Sequence, residues 1–503
     1  MISSLILLVF SIPIISQTYL PASLCDDTLT LAGSPYIADS TIIINYGCAL
    51  RVEPGVEIKM GGGSYMIIRG NVDFSGTPSQ PILIHAKDSS WGIIYLDNAN
   101  QEKSFFHYIV IEDATKGVYG ISHNDSAFQQ AALSCFNSEV EINHCVFKNN
   151  QAAIYCFYCN NILIKNCEFD SSNAGEKIHA EQSDSARIDS SVFYFTAGVG
   201  DAVDFDGSKD IIISNNYFYG GEADGIDIGN SGTVGCNRVT ISGNFIFNMG
   251  DKGISCGEIS NNIYADHNVI VGCDKGIVSK QGSLVFADHN TFYGNRIGIL
   301  STDYLDGLGP GNITLTNSII AASSDSTWAK YFSSALTVSY SLSDIDLIPG
   351  NGNINNDPLF IFPSLNASGN FNLNSTSPAI DNGDPAFNPD PDGSRTDMGA
   401  FYYDKASAIS FKNNIPGMIC LYPNPVKQAN TIYLLAGEYR QETEDYSGKS
   451  VLTIYNVLGE EVLKYKILSL PSKIQIGSLN AGIYFIKIDN GNEVAASAKM
   501  VVE

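Results

Sequence analysis

Positive charge is scarce in this chain. Its 503 residues include 28 Lys and Arg against 53 Asp and Glu, which gives a formal net charge of −25 at pH 7. Nucleic-acid binding depends on clustered Lys and Arg side chains that neutralise phosphates. The composition therefore argues against nucleic acid as a partner. It suits a soluble exported protein, or one that holds divalent cations.

Long apolar runs are also scarce. The stretch at residues 4–15 is apolar but too short to span a bilayer comfortably, and its N-terminal position predicts a secretory signal peptide over residues 1–16. No later run is long enough for a transmembrane helix. We therefore expect an exported protein that has no transmembrane segment and is monomeric.

The sequence contains no stretch with a convincing helical period and end caps. Instead, a short phrase recurs: an alternating apolar run, a small residue or Asn, one variable residue and a large apolar residue. The small residues of the eight copies, which are 22 to 28 positions apart, are Cys145, Cys167, Ser191, Asn216, Asn244, Asn268, Asn290 and Ser318. Such a period indicates a solenoid, in which residues one period apart become neighbours about 4.8 Å apart.

Short β-rich runs, such as residues 211–214 and 239–242, alternate with turns rich in Asn, Gly and Asp. In these features the chain resembles the right-handed parallel β-helix superfamily, whose folds are pectate-lyase-like. The resemblance implies an all-β solenoid over residues 17–404. It assigns no function, because this fold hosts lyases, hydrolases, adhesins and inert shafts.

The eleven cysteines do not have the spacing of a zinc site. Cys25 and Cys48 lie 23 residues apart, about one coil, so we expect a disulfide that seals the first coil of an exported protein. Cys145 and Cys167 occupy one repeat column. There we expect small apolar residues stacked inside the coil.

The last part of the chain has a different character. Residues 405–418 have the composition of a linker, and residues 419–503 contain alternating apolar strands joined by Gly turns, which predict a small Ig-like β-sandwich. The blocks at residues 421–426, 451–462 and 479–488 resemble, in order, the C-terminal sorting domain of the type IX secretion system of the Bacteroidota. The resemblance implies export across both membranes by that machinery, to the cell surface or the medium.

Acidic residues collect on one strand of consecutive predicted coils. When the coils are aligned on an inward Ile or Val, the next residue points outward toward solvent. This predicted outward column contains His179, Asp204, Asp227, Ser255, Val278 and Leu300. The acidic positions of this patch, on two adjacent coils, are Asp201, Asp204, Asp206, Asp224 and Asp227. The lysines on the following coils are Lys252, Lys275 and Lys280. Carboxylates stacked about 5 Å apart repel, so the patch requires a cation, a shared proton or nearby Lys.

Oxygen ligands of this kind suit Ca²⁺, and a Lys beside a bound cation could have a lowered pKa and act as a base. The arrangement is similar to the plan of pectate lyases, in which Asp side chains hold Ca²⁺ and a basic residue removes a proton from a uronate. The similarity implies Ca²⁺ ligands at Asp201, Asp204, Asp224 and Asp227, and a base at Lys252 or Lys275. We expect substrate contacts from His179 and Lys280.

These patterns predict a protein that binds extracellular polysaccharide, with Ca²⁺-assisted cleavage at a uronate as the leading catalytic hypothesis. Two alternatives stay open. The protein is a non-catalytic adhesin or structural surface protein if the acidic face consists only of solvated turns. It is a glycoside hydrolase if two Asp act as acid and base, although the Gly-His-Gly block of polygalacturonases is absent.

Overall fold

The structure, a computed structural model, describes most of the chain up to residue 403 and the strands that follow it. The described residues are 17–99, 102–115, 131–170, 175–194, 200–304, 307–365, 369–403, 419–422, 431–436, 451–455, 461–466, 472–477, 479, 482–489 and 494–502. The predicted signal peptide and linker lie outside them, and the predicted domain boundaries stay predictions. Among these residues, no helix has the length and apolar character of a membrane span.

The chain divides into two compact units, residues 1–200 with 204–211 and residues 201–203 with 212–503. Each unit contains three parallel sheets. The chain adds one strand to each sheet in turn, so that each strand pairs with the strand one coil later in the same sheet. This is the parallel β-helix that the repeat predicts. We name the sheets 1A, 2A and 3A in the first unit and 1B, 2B and 3B in the second.

The first unit opens with strands Thr18–Tyr19, Ser23–Leu24 and Asp27–Leu29 and a 3₁₀ turn at Leu31–Gly33. Sheet 1A continues with Tyr36–Ala38, Glu57–Met60, Ile82–Ala86, Ile109–Glu112, Val146–Lys148, Glu168–Phe169 and Val192–Tyr194. Sheet 2A continues with Ile42–Ile44, Met66–Ile68, Ile94–Asp97, Leu133–Phe136, Ile154–Phe157 and Ile178–Glu181. Sheet 3A continues with Ala49–Val52, Asn71–Ser75, Ser104–His107, Val140–Asn143, Leu163–Lys165 and Arg187–Asp189. Strands Val203–Asp206 and Lys209–Ser214 contain residues of both units.

The second unit repeats this order. Sheet 1B contains Tyr217–Gly221, Phe245–Met249, Val269–Val271, Thr291–Tyr293, Ile319–Ala321, Leu342–Ser343 and Ile354–Asn355. Sheet 2B contains Ile226–Ser231, Lys252–Cys256, Lys275–Ser279, Ile297–Ser301 and Ser326–Lys330, with Val234–Gly235 paired to the first of them. Sheet 3B contains Asn237–Ser242, Asn261–Asp266, Leu284–Asp288, Asn312–Thr316 and Ala335–Ser339.

The recurring Asn residues form a ladder inside the second unit. Asn216, Asn244, Asn268 and Asn290 are all fully buried. The Nδ2 atom of Asn244 donates to Oδ1 of Asn268 at 3.0 Å, and Nδ2 of Asn268 donates to Oδ1 of Asn290 at 3.0 Å. Each amide also bonds to backbone groups at the corner between sheets 3B and 1B. The ladder therefore satisfies polar groups that the corner would otherwise bury unpaired.

Cysteine is used in two ways in the first unit. Cys25 and Cys48 form a disulfide with their Cα atoms 4.7 Å apart, across the first coil. Cys145 and Cys167 are free and buried, so they fill the interior as the repeat column predicts. The disulfide lowers the conformational entropy of the unfolded chain, and this stabilises the folded end of the solenoid.

A closing segment at residues 374–403 covers part of the second unit. Gly399 N–H donates to the carbonyl of Asn317 at 2.7 Å, and Ala400 N–H donates to Oγ1 of Thr291 at 3.0 Å. An antiparallel pair, Phe360–Phe362 and Asn370–Leu373, precedes it. These hydrogen bonds fasten the segment to interior strands of sheet 1B and to the turn that precedes one of them.

The C-terminal strands form two antiparallel sheets. One contains Ile419–Tyr422, Thr431–Ala436 and Ser472–Gln475. The other contains Glu461–Lys466, Val451–Tyr455, Gly482–Asp489 and Val494–Val502. Buried residues of both sheets, such as Ile432 and Ile474 from the first and Leu452 and Ile486 from the second, share one hydrophobic core. The predicted small β-sandwich is therefore confirmed.

Candidate functional site

The outer face of sheet 2A carries a histidine between two carboxylates and a tyrosine. Ile178 and Ala180 point into the core, so the intervening His179 points outward. Its Nε2 lies 3.4 Å from Oδ2 of Asp206 and 3.7 Å from Oδ2 of Asp204. One coil earlier, the ring of Tyr155 pairs in register with His179, with ring centroids 5.0 Å apart.

This group is half-buried and electrostatically coupled. The Tyr155 hydroxyl donates to Oε2 of Glu181 at 3.2 Å, and burial together with this carboxylate raises the pKa of Tyr155 far above its usual range. One ligand atom each from His179, Asp204 and Asp206 lies within 4.8 Å of the others, so the three side chains could hold a metal ion. We call His179, Asp204 and Asp206 the histidine–aspartate group.

In the second unit, one of the predicted Ca²⁺ ligands, Asp224, forms a buried ion pair with Lys252. Both carboxylate oxygens of Asp224 lie 3.0 Å from Nζ of Lys252, and the Asp224 backbone N–H donates to Oδ1 of Asp201 at 2.8 Å. Burial alone would lower the pKa of Lys252, but Asp224 and Asp251 outweigh it and hold that pKa well above its usual value. Lys252 is therefore a protonated partner of Asp224 at neutral pH.

The ion pairs continue as a ladder along this turn. Nζ of Lys275 lies 2.6 Å from Oδ1 of Asp251 and 2.5 Å from Oδ2 of Asp274, and Asp274 also contacts Arg296. Burial opposes the charged form of Lys275, yet the two carboxylates raise its pKa. In the absence of a bound cation both lysines therefore carry a proton, and a base role for Lys252 or Lys275 stays a prediction.

The outward column of sheet 2B has the predicted register but a different environment. Asp227 pairs with Ser255, Ser255 with Val278, and Val278 with Leu300. The last three are buried, and Val278 and Leu300 pack with Ile297 instead of facing solvent. The expectation of an exposed column is thus wrong beyond Asp227, because large apolar residues on successive coils cover one another.

Two oxygen atoms in this column are buried without a hydrogen-bond partner among the described residues. They are Oδ1 of Asp227 and Oγ of Ser255, which belong to paired neighbours. Carboxylate oxygens of Asp201 and Asp227 also lie within 4.8 Å of each other. An orphaned buried carboxylate oxygen fits a bound cation, which would supply the missing contact. Lys280 lies further along, with Nζ 6.0 Å from the ring centroid of Tyr304.

The structure thus separates the predicted site residues into three environments. His179 and Asp204 are brought together, Asp224 is bound by Lys252, and Asp227 keeps an orphaned oxygen. Tyr155 and Ser255 were not predicted as site residues. The repeat register could have identified both, since each occupies the same column as His179 or Asp227 in its own unit.

Two family models match the chain. The model described as "Right handed beta helix region" matches residues 83–257 and 176–341, which together cover about half of the chain. The model described as "Secretion system C-terminal sorting domain" matches residues 420–503. None of the curated proteins matches the sequence.

Several solved structures are similar to this chain at low identity. The periplasmic alginate epimerase AlgG has 13% identity and a TM-score of 0.42, covering 63% of this chain and 84% of its own. Pectate lyase Pel9A has 16% identity and a TM-score of 0.35, covering 72% of this chain and 89% of its own. An alginate lyase from Paenibacillus sp. str. FPU-7 has 14% identity and a TM-score of 0.28, covering 68% and 97%.

The sorting domain marks a protein that the type IX secretion system delivers to the cell surface or the extracellular space. The family model of the solenoid agrees with the parallel sheets and with the repeat register described above. The chain therefore belongs to the right-handed β-helix family, with a type IX secretion sorting domain at its C-terminus.

Proposed function

We propose that this exported protein binds an acidic, uronate-containing extracellular polysaccharide on the outer face of its solenoid, with Ca²⁺ between protein and polymer. The observation that carries the proposal is the histidine–aspartate group, three half-buried polar side chains on a strand face of an exported protein. The buried Tyr155 packs against His179 from the preceding coil and supports this group.

Charge explains why a cation belongs in this proposal. The chain has a formal net charge of −25, so direct contact with a polyuronate would bring like charges together. A divalent ion held by Asp204 and Asp206 would neutralise these two carboxylates and give a uronate carboxylate a cation to contact, and Ca²⁺ prefers such oxygen ligands. In the second unit, the candidate Ca²⁺ ligands are Asp201 and Asp227, whose Oδ1 has no hydrogen-bond partner among the described residues.

Asp224 is a weaker candidate ligand than the sequence suggests. Both of its oxygens contact the ammonium of Lys252, and a cation would have to displace a buried ion pair. Burial also raises the pKa of Asp224, although Lys252 counteracts that effect. We therefore do not include Asp224 among the proposed Ca²⁺ ligands, and assign it to the ion pair with Lys252.

A second candidate function, elimination at a uronate, is favoured by one observation. The imidazole of His179 contacts the carboxylates of Asp204 and Asp206, which would stabilise it after it takes up a proton. His179 therefore replaces Lys252 and Lys275 as the candidate base. Bound Ca²⁺ would withdraw charge from the uronate carboxylate in such a reaction.

Affinity electrophoresis of the full chain in gels containing alginate or polygalacturonate tests binding. We expect retardation with Ca²⁺, loss of retardation with EDTA, and at least a roughly tenfold weaker affinity for Asp206→Asn or His179→Ala. Asp325→Asn is the matched control, because it removes an exposed carboxylate elsewhere. Equal migration with and without the polymers would refute the proposal.

The same polymers distinguish binding from cleavage. Elimination creates unsaturated ends with ultraviolet absorbance, which His179→Ala should abolish. Hydrolysis creates reducing ends without that absorbance. Retardation with neither product identifies a binding protein that is not an enzyme for these polymers.

A further inference from the structure

The outer face of sheet 3B carries an exposed aromatic pair that the proposed function does not use. Tyr264 and Phe286 pair in register on neighbouring strands, and 51% and 44% of their surfaces are exposed. Their rings stack with centroids 5.5 Å apart. The same column continues with Thr240 on one side and Thr314 on the other, so a small side chain adjoins each outer ring face.

Polar groups border this pair. Asp266 and Asp288 lie two residues further along the same strands, so they share the outward face with the aromatic rings. Oδ2 of Asp266 lies 3.0 Å from Nδ1 of His267, an imidazole that is half exposed and stacks on His289 with centroids 4.9 Å apart. The site therefore combines apolar ring faces with carboxylate acceptors.

The closing segment adds a third exposed aromatic residue near these groups. Phe387 is 42% exposed, and its ring stands edge-on to His289 with centroids 5.9 Å apart. His289 itself is held in place, since Nδ1 lies 2.6 Å from Oδ2 of Asp288 and Nε2 lies 2.7 Å from Oγ1 of Thr396. Phe387 is thus positioned by a fixed imidazole next to the carboxylates.

From this combination we infer a second carbohydrate-binding surface, formed by Tyr264, Phe286, Asp266, His267 and Phe387, that takes a neutral glycan. Sugar rings present C–H faces that pack on aromatic rings, and hydroxyl groups around their edges that donate to carboxylates. An apolar protein partner would leave Asp266 desolvated against it, which costs free energy. A hydroxyl-rich ligand instead satisfies the carboxylate.

The charge of this surface favours a neutral glycan over an acidic one. The ion-pair partners of Asp266 and Asp288 are imidazoles, which are charged only when protonated, rather than Lys or Arg. On a chain with a net charge of −25, this surface repels uronates. The inference is independent of the polyuronate proposal, because it concerns a different sheet, different residues and no cation.

The test uses affinity electrophoresis of the full chain with laminarin, xylan and galactomannan as neutral probes and alginate as the acidic probe, each with EDTA. We expect retardation by at least one neutral polysaccharide in EDTA. Tyr264→Thr with Phe286→Thr should raise Kd by roughly tenfold or more, since the ring contacts are lost. Threonine already occupies both adjacent positions of the column, so the strands should keep their structure.

Two controls separate this surface from the histidine–aspartate group. Thr314→Ala changes an exposed neighbour of Phe286 and should leave Kd unchanged. His179→Ala should leave the Kd for the neutral probes unchanged in EDTA and should weaken alginate binding only in the gels that contain Ca²⁺. An unchanged melting temperature shows that the double variant is folded; if it does not fold, Phe387→Ala is measured in its place with the same expectation. Absence of retardation by all three neutral probes, or equal affinity of the aromatic variant and wild type, overturns the inference.

Discussion

At the scale of single residues, Lys252 illustrates how one contact changes the chemistry that a side chain can perform. The sequence places it one coil after Asp224, where a cation would lower its pKa and make it a base. In the structure it is buried against Asp224 and Asp251, and these carboxylates raise its pKa despite the burial. Its role is then to neutralise buried carboxylates, and His179 becomes the candidate for proton exchange.

This role predicts a large loss of stability when Lys252 is replaced. Lys252→Met leaves the buried carboxylate of Asp224 without its cation, which should cost about 3–5 kcal/mol of unfolding free energy. Lys275→Met, at a more exposed ion pair, should cost about 1 kcal/mol or less. Urea unfolding followed by circular dichroism measures both, and adding Asp224→Asn to Lys252→Met should recover much of the loss. Equal effects of the two single substitutions would contradict the assignment.

At the scale of elements, the repeated Asn corner explains why these short strands stack in one register. Each described strand of the solenoid is only two to six residues long and cannot be stable alone. The amide of Asn268 accepts from Asn244 and donates to Asn290 and to the carbonyl of Ile241, so it connects three consecutive coils. A register slip would break several of these bonds at once.

The Asn ladder predicts that replacing a single Asn side chain lowers the free energy of unfolding substantially. Asn268→Ala removes the acceptor of the Asn244 backbone N–H and one donor to the Ile241 carbonyl, and the unpaired N–H should cost about 1–3 kcal/mol of unfolding free energy. Asn268→Ser should lose less, because Ser318 occupies the same column and its Oγ accepts from the backbone N–H of Asn290. Chemical unfolding of the two variants provides the comparison. A serine variant as unstable as the alanine variant would show that the hydrogen bonds do not determine the cost.

Sheet faces show the limit of reasoning from the repeat. The period correctly identifies which residues pair, as for Asp227, Ser255 and Val278. It does not state what lies above the outer face, and the expected exposure fails at Ser255 and Val278. Exposure depends on side-chain volume in neighbouring coils and turns, which a pairing register does not contain.

At the scale of the whole molecule, the C-terminal sorting domain determines where the protein acts. Its two antiparallel sheets have their own hydrophobic core, and the family model matches residues 420–503. Recognition by the secretion machinery should therefore depend on this domain.

Deletion of residues 419–503 should stop the last export step. In a host with type IX secretion, we expect the truncated protein to accumulate in the periplasm, while the full chain reaches the surface or the medium. Cell fractionation and immunoblotting measure the distribution, with a periplasmic marker protein as control for leakage. Truncated protein at the surface in normal amount would contradict the prediction.

The sequence by itself determined the β-helix, the pairing register and the sorting domain, because each depends on patterns that repeat along the chain or occur in fixed order. A period near 24 residues makes the next coil the nearest neighbour, and the Cys25–Cys48 pair follows the same rule.

Only the tertiary structure decided which polar groups neutralise one another and which faces are covered. Two of these contacts, Lys252 with Asp224 and His179 with Asp206, depend on the direction of each side chain. The contact of Phe387 with His289 depends on a segment about 100 residues away in sequence. No period encodes these contacts, because they arise from packing in three dimensions.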